Sequence, residues 1–523
     1  MIIQDQSRII AFLEAPGTHG GRPVERIDSH ASIVFLAGTR AYKLKRAVRY
    51  DYLDFGSVER RRAMCEAEVR INRRTAAELY LGAVAIPETP SSGLQIGGNG
   101  TPVDWVVEMV RFDQTNLLDR RAESGDLGLD LMPSLGEAIA CFHSRAGSRT
   151  DRGGWDGMKK VVDGNAAAFA EGAEVFDREI CRQLTHCTRF SLGLVSALLD
   201  ARREQGEVRQ CHGDLHLRNV VLLEGRPTLF DAIEFNDDLA CVDVLYDLAF
   251  LLMDLWRRHL FAHANAVWNA YLAATGDLTG LSLMPLFLSC RAAVRAKTSA
   301  SAAALQTDPV RCNQLREVAR EYLRLSQDLL LQPPAPCLIA IGGHSGSGKS
   351  TLARSLAPLA GAVPGAVVLR SDRIRKELAR TGPVDRLGPD GYTAGMSQRV
   401  YATLAERADT AIRAGHTAIL DAVFARAADR DAIQGVAKAT GVPFIGLWLS
   451  APETVLLARV RNRVADPSDA DATVVRHQLA AQLGHLPWHH LDGAQTPDDV
   501  YRSALELTAS RSAPNPDVAA KPR

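Results

Sequence analysis

Two hydrophobic rhythms, and the changes between them, organise this chain. Near its start, "SIVFLAGTRAYKLKRAV" and "VDWVVEMVRF" place apolar and polar residues in near alternation, which predicts half-buried β-strands. From about Met132 to Leu330 the apolar positions recur every three or four residues, as amphipathic helices require. One segment interrupts them, "CHGDLHLRNVVLLEGRPTLFDAIEF" at Cys211–Phe235. At "LLLQPPAPCLIAIGG", Pro333, Pro334 and Pro336 stop the helical pattern. Beyond them the short apolar runs "CLIAIGG", "AVVLRSD", "TAILDAVF" and "PFIGLWLS" alternate with charged amphipathic segments, which predicts a parallel sheet covered by helices.

The expected organisation is a strand-rich lobe and a helical lobe forming one α+β domain over residues 1–330, a linker at 331–337 and an α/β domain over 338–510. A disordered tail is expected at 511–523, because "SRSAPNPDVAAKPR" carries too little apolar surface to offset ordering. The most apolar later stretch, Leu239 to Trp256, is broken by Asp243, Asp247 and Asp254, so a buried amphipathic helix is expected there and not a membrane span.

Charge and cysteine usage remove several function classes. Lys+Arg and Asp+Glu stand at 61 each, so the chain lacks the uniform basic field that draws nucleic acid or anionic membranes. Its 9 cysteines form no CxxC pair and read as reduced thiols. "MIIQDQSRIIAFLEAPGTHG" has no basic start followed by an apolar run, and a cytoplasmic protein is expected.

The sharpest chemical signal is "GGHSGSGKST", in which Gly343, Gly348, Lys349 and Ser350 satisfy G-x-x-x-x-G-K-[ST] after a predicted strand and before a predicted helix. Glycines let backbone N–H groups turn inward around phosphate oxygens, and the helix N-terminus adds partial positive charge. Gly343, His344, Ser345, Gly346, Ser347, Gly348, Lys349, Ser350 and Thr351 are the candidate nucleotide contacts, with Ser350 also a Mg²⁺ ligand. Asp372 and Asp421 follow the next two predicted strands, where ligands bind in parallel sheets. Asp372 is a candidate to orient or deprotonate an acceptor hydroxyl, and Asp421 to hold Mg²⁺; helix capping is the plain alternative for both. Arg459 and Arg463 lie four apart on one predicted helix face, as a phosphate-clamping lid or a solvated arginine face would have them. These motifs, from Leu338 to Thr508, resemble small P-loop kinases of the gluconate-kinase, shikimate-kinase and zeta-toxin type. The resemblance implies an acceptor contact for Asp372.

In the interrupting segment, Asp214 and Asn219 share one loop, and Asp231 ends a returning strand. A base and two metal ligands are what phosphoryl transfer needs once nucleotide is bound: Asp214 as base, Asn219 and Asp231 on Mg²⁺. A lysine for the α/β-phosphates and a helical glutamate to orient it are supplied by Lys43, with Lys45 as alternate, and Glu68, with Glu66 as alternate. His212 and His216 flank Asp214 without further ligands for zinc; His212 is expected to brace the loop, and His216 to be a polar loop residue. The constellation, spanning about Arg26 to Arg320, resembles the aminoglycoside phosphotransferase and choline-kinase group, which shares the bilobal protein-kinase-like fold. "FDAIEF" stands where protein kinases carry D-F-G, and the glycine-rich G-x-G-x-x-G loop is missing.

Together the halves resemble bifunctional aminoglycoside-phosphotransferase-like and P-loop ATP-binding proteins. That resemblance implies ATP-dependent, Mg²⁺-dependent transfer to small-molecule hydroxyl or amino acceptors at two sites. Two other readings stay open: one half as a nucleotide-binding regulator of the other, and the second half as a polynucleotide 5′-kinase, prompted by Arg370, Arg373, Arg375 and Lys376 beside Asp372. The balanced charge weighs against a nucleic-acid partner.

Overall fold

The computed structural model describes residues 3–50, 52–89, 93–331, 333–382, 385–462 and 468–509. Arg463 and the expected tail at 511–523 therefore lie outside the described residues. The chain divides into two compact units, one of Met1–Gly164 with Leu192–Asp254 and one of Asn165–Ser191 with Leu255–Arg523.

The first unit begins with strands β1 (Val24–Asp28), β2 (Ser32–Ala37) and β3 (Arg40–Lys45), then a short ribbon of β4 (Arg49–Tyr50) and β5 (Leu53–Asp54). With β6 (Tyr80–Thr89), β7 (Gly93–Leu94) and β8 (Thr101–Val110) they build an antiparallel sheet in the order β1-β2-β3-β8-β6-β7. The alternation seen in the sequence places Ile33, Phe35, Leu44 and Val106 on one face, under Ile9 and Leu13 of the first helix. Leu36, Ala41, Val107 and Met109 face the other way, onto Cys65 and Val69 of the helix Val58–Asn72. Ser57 caps that helix by accepting the Arg60 N–H. Its inner face is not uniformly apolar, because Arg61, Glu68 and Asn72 are buried along with Cys65. Arg61 grips Asp104 on β8 at two points, Nε to Oδ1 at 2.7 Å and Nη2 to Oδ2 at 3.0 Å.

The interrupting segment is carried by β9 (Val208–Gln210), the hairpin of β10 (Val220–Leu223) and β11 (Arg226–Leu229), and β12 (Cys241–Asp243), which pairs with β9. The expected helix follows at Val244–Arg257 and is shorter at its start, because Cys241–Asp243 forms a strand. Among the described residues no helix is long and apolar enough to cross a membrane.

The second unit contains the helices Phe261–Thr275, Met284–Ala304 and Pro309–Leu331, and after the proline-rich segment a parallel sheet. Its strands β13 (Leu338–Gly343), β14 (Val367–Arg370), β15 (Ala418–Asp421), β16 (Phe444–Ser450) and β17 (His489–Asp492) run in the order β14-β15-β13-β16-β17. Ile339, Ile341, Ile419, Ile445 and Leu447 pack against Leu352, Leu356 and Val500 of flanking helices, which explains why the strands read as unbroken apolar runs. The fifth strand, "HHLD", buries only Leu491 and had no such run to announce it.

Candidate functional site

Ala41, Lys43 and Lys45 share one face of β3, the face that meets the helix Val58–Asn72. Glu68 reaches both lysines: its Oε1 accepts from Lys43 at 2.8 Å and its Oε2 from Lys45 at 2.7 Å. Lys43 also donates to Asp231 Oδ1 at 2.5 Å, whereas Lys45 pairs with Glu234. Glu66 instead pairs with Arg62 on the exposed side of the helix. Burial works against charge on Lys43, yet Asp231 and Glu68 outweigh it and hold its pKa well above the ordinary value. Burial likewise opposes charge on Glu68, and the two lysines overcome it, lowering its pKa to about 2. For Glu234 burial wins over Lys45 and the pKa is raised.

Asp231 holds φ at +62°, the left-handed region that costs a non-glycine residue about 1 kcal/mol or more. Its neighbours over-determine it: the Asp231 N–H donates to the Tyr80 hydroxyl at 3.1 Å, and the Ala232 N–H to Asn72 Oδ1 at 2.8 Å.

The Asp214 loop is anchored from below by the helix Val244–Arg257. Asp247 accepts the N–H groups of His212 at 3.1 Å and Gly213 at 2.8 Å, and Asp254 accepts that of Leu217 at 3.1 Å. Gly213 sits at φ +81°, where a Cβ would lie 3.0 Å from the Leu239 carbonyl. His212 Nε2 bonds the Phe230 carbonyl at 2.9 Å, tying the loop to the segment just before Asp231. The returning strand β11 itself stops at Leu229, short of the expected end at Asp231, because Asp231 leaves the extended backbone. His143 Nε2 meets Asp247 Oδ2 at 3.1 Å, so Asp247 is the buried hub of the loop. Within the loop, the Asn219 amide donates to Asp214 Oδ2 at 3.1 Å and to the Asp214 carbonyl at 2.9 Å. His216 is buried, 3.3 Å from Asp214 Oδ2 and edge-on to Phe250. Asp247, Asp254, Glu234 and the His216 contact have no motif of their own. In the sequence the first two show only as charges breaking an apolar run. In place of a glycine-rich loop, β1 and β2 are joined by a turn that Ser29 closes on the Ser32 carbonyl at 2.9 Å.

In the second unit, β13 runs into Gly343, whose φ is +140° and whose Cβ would lie 2.4 Å from the Leu449 carbonyl. Gly346 and Gly348 also hold positive φ, and Gly348 precedes the helix Lys349–Leu356. Lys349 Nζ folds back onto the His344 carbonyl at 2.9 Å, and Ser345 N–H donates to Gln478 Oε1 at 2.8 Å. Ser347 Oγ and His344 Nδ1 are buried without a hydrogen-bond partner. Ser350 Oγ donates to Asp421 Oδ2 at 2.6 Å. Arg370 bridges the same pair, Nε to Asp421 Oδ2 at 3.1 Å and Nη2 to Ser350 Oγ at 3.1 Å. Thr351 is exposed. Asp372 stands in the first turn of the helix Ser371–Leu378; burial and then the charge of Asp421 raise its pKa, against Arg370 and a hydrogen bond from Ser468. Arg459 Nη1 donates to the Gly493 carbonyl at 2.6 Å and to that of Gly346 at 3.4 Å. Of the remaining basic cluster, Arg373 bonds the Ala273 carbonyl, Arg375 that of Gly391, and Lys376 pairs with Asp469, so the cluster is largely engaged with the protein itself.

Residues 46–282 match the family model of the phosphotransferase enzyme family, and residues 338–486 match that of an AAA domain. Over 479 residues, 89% of this chain and 92% of the relative, the chain is 29% identical to an uncharacterized protein of Mycobacterium tuberculosis. Over 132 residues, 23% of this chain and 62% of the relative, it is 29% identical to an adenylyl-sulfate kinase of Myxococcus xanthus. Among solved structures, an ethanolamine kinase of Plasmodium vivax aligns over 62% of this chain and 90% of its own at 11% identity and a TM-score of 0.38. A sugar kinase from Janibacter aligns over 34% of this chain and 97% of its own at 22% identity and a TM-score of 0.27.

Proposed function

We propose that this chain, a phosphotransferase-family domain followed by a P-loop kinase-like domain, is an ATP-dependent phosphotransferase with two nucleotide sites that serve small-molecule hydroxyl or amino acceptors. The observation that carries the reading is the convergence of Lys43, Glu68 and Asp231 in one hydrogen-bonded group, with Asp214 and Asn219 on an anchored loop of the same unit. Lys43, oriented by Glu68, binds the α/β-phosphates, and Asp214 accepts the proton of the acceptor hydroxyl. The Asp231 carboxylate and the Asn219 carbonyl oxygen are hard donors that suit Mg²⁺.

In the P-loop half, the buried Ser347 Oγ without a partner and a glycine cradle that a Cβ would fill both fit bound phosphate. Lys349 binds the β/γ-phosphates, while Ser350 and Asp421 are the Mg²⁺ ligands. At either site bound Mg²⁺ would neutralise phosphate charge. Asp372, its pKa raised, takes the acceptor proton. Arg459, joined to the loop carbonyl of Gly346, shapes the phosphate side. All 9 cysteines are free thiols, which suits a cytoplasmic setting.

ATP consumption across a panel of small alcohols and amines tests the reading, comparing the parent chain with Asp214→Ala and Lys349→Ala. Each substitution should abolish phosphorylation of a different acceptor. Consumption that survives both substitutions unchanged would refute it.

A further inference from the structure

In the second unit the P-loop sheet ends at β14, an edge strand with a strand neighbour on one side only. An open edge leaves backbone N–H and C=O groups unpaired. Here a helix that precedes the linker fills that role with two side chains. Asn269 Oδ1 accepts the Val368 N–H at 2.7 Å, and Asn269 Nδ2 donates to the Ala366 carbonyl at 3.1 Å. Asn265, buried, donates through Nδ2 to the carbonyls of Pro364 and Ala366, each at 3.1 Å. Both asparagines lie on the helix Phe261–Thr275, one turn apart. Gly365 permits the approach, since a Cβ there would lie 2.8 Å from Asn265 Nδ2.

The grip continues on both sides. Arg373, one residue past Asp372, donates to the Ala273 carbonyl at 3.0 Å. His416, two residues before β15, bonds the Leu281 carbonyl at 3.1 Å, and Trp268 stands beside its ring. β14 delivers Arg370, which holds Ser350 and Asp421, and then Asp372; β15 delivers Asp421 itself.

We infer that Asn265 and Asn269 are positioning residues of the P-loop site: a helix from before the linker sets the edge strand that delivers Arg370 and Asp372 to the phosphate loop. The catalytic part of this inference rests on the reading of that half as a kinase. The P-loop half therefore depends, for a competent site, on a segment that lies outside its own family match.

The test uses the full chain carrying Asp214→Ala, so that remaining ATP turnover comes from the P-loop site, and Lys349→Ala verifies its origin. Adding Asn269→Ala should lower kcat about tenfold or more and leave KM for ATP within about twofold, because the phosphate loop stands on β13. Amide exchange across 366–372 should quicken about tenfold while 338–343 keeps its protection. Asn269→Asp, similar in volume, keeps the acceptor for Val368, loses the donor to Ala366, and should fall between. Unchanged exchange, faster exchange with unchanged kcat, or loss of protection throughout the sheet would each overturn the inference. If Lys349→Ala removes no turnover, the kinase reading of this half fails separately, and the exchange result alone decides whether the asparagines hold the strand.

Discussion

Glu68 Oε1 accepts a hydrogen bond from Lys43 Nζ at 2.8 Å, joining the helix Val58–Asn72 to β3 at a point where Glu68 is fully buried and Lys43 half-buried. A buried carboxylate that serves two lysines cannot be neutralised without leaving them undercompensated. Glu68→Gln should lower kcat/KM at the first site by about a hundredfold and lower the melting temperature measurably. Steady-state kinetics with an acceptor of that site, alongside thermal melting, check both effects.

Asp247→Asn removes one acceptor oxygen from the hub that holds His212 and Gly213. The loop loses its register, and with it the placement of Asp214. An expected fall in kcat of about tenfold to a hundredfold, with ATP affinity nearly kept, separates this from a nucleotide-binding defect. Parallel ATP titration and turnover measurements decide it.

The Arg61–Asp104 pair, wholly buried, allows a double-mutant test. Arg61→Met alone strands a buried carboxylate and should cost about 3–5 kcal/mol, whereas Arg61→Met with Asp104→Leu should recover much of that loss. Denaturant unfolding of the three proteins measures it.

His416 gives the stability a pH dependence with a definite sign. Burial lowers its pKa from 6.5 to about 4, so the unfolded chain takes up a proton near pH 6.5 and the folded chain only near pH 4. Stability is full above pH 6.5 and declines as the pH falls toward 4, by roughly 3 kcal/mol from this group. His416→Gln should flatten that part of the profile in chemical unfolding followed between pH 4 and 7.

Gly343→Ala places a methyl group 2.4 Å from the Leu449 carbonyl at a backbone angle that L residues rarely adopt. Calorimetric titration with Mg·ATP should then count one nucleotide site in place of two. Two sites of undiminished affinity would refute the assignment of this loop.

What could be read in the sequence followed from how local each signal is. The phosphate loop and the Asp214–Asn219 spacing are legible because backbone geometry confines them to a few adjacent residues. The choice between Lys43 and Lys45 was not, since both point to one face of β3 and both meet Glu68; they differ only in their second partners, Asp231 and Glu234, far along the chain. Asp247 and Asp254 act on backbone N–H groups, and a donor present in nearly every residue leaves no pattern to recognise. The asparagines of the helix Phe261–Thr275 were hidden for the same reason, and "HHLD" was too short and too polar to read as a strand.

The group around Lys43 sets two lysines against three carboxylates, Glu68, Asp231 and Glu234. The chain is neutral as a whole, but this corner of it is not. If the site takes nucleotide as proposed, a bare nucleotide, with several negative charges on its phosphates, would meet repulsion there, whereas its magnesium complex would arrive with much of that charge already cancelled. On that reading the cluster should discriminate between two forms of one molecule, favouring metal and nucleotide entering together over nucleotide entering alone.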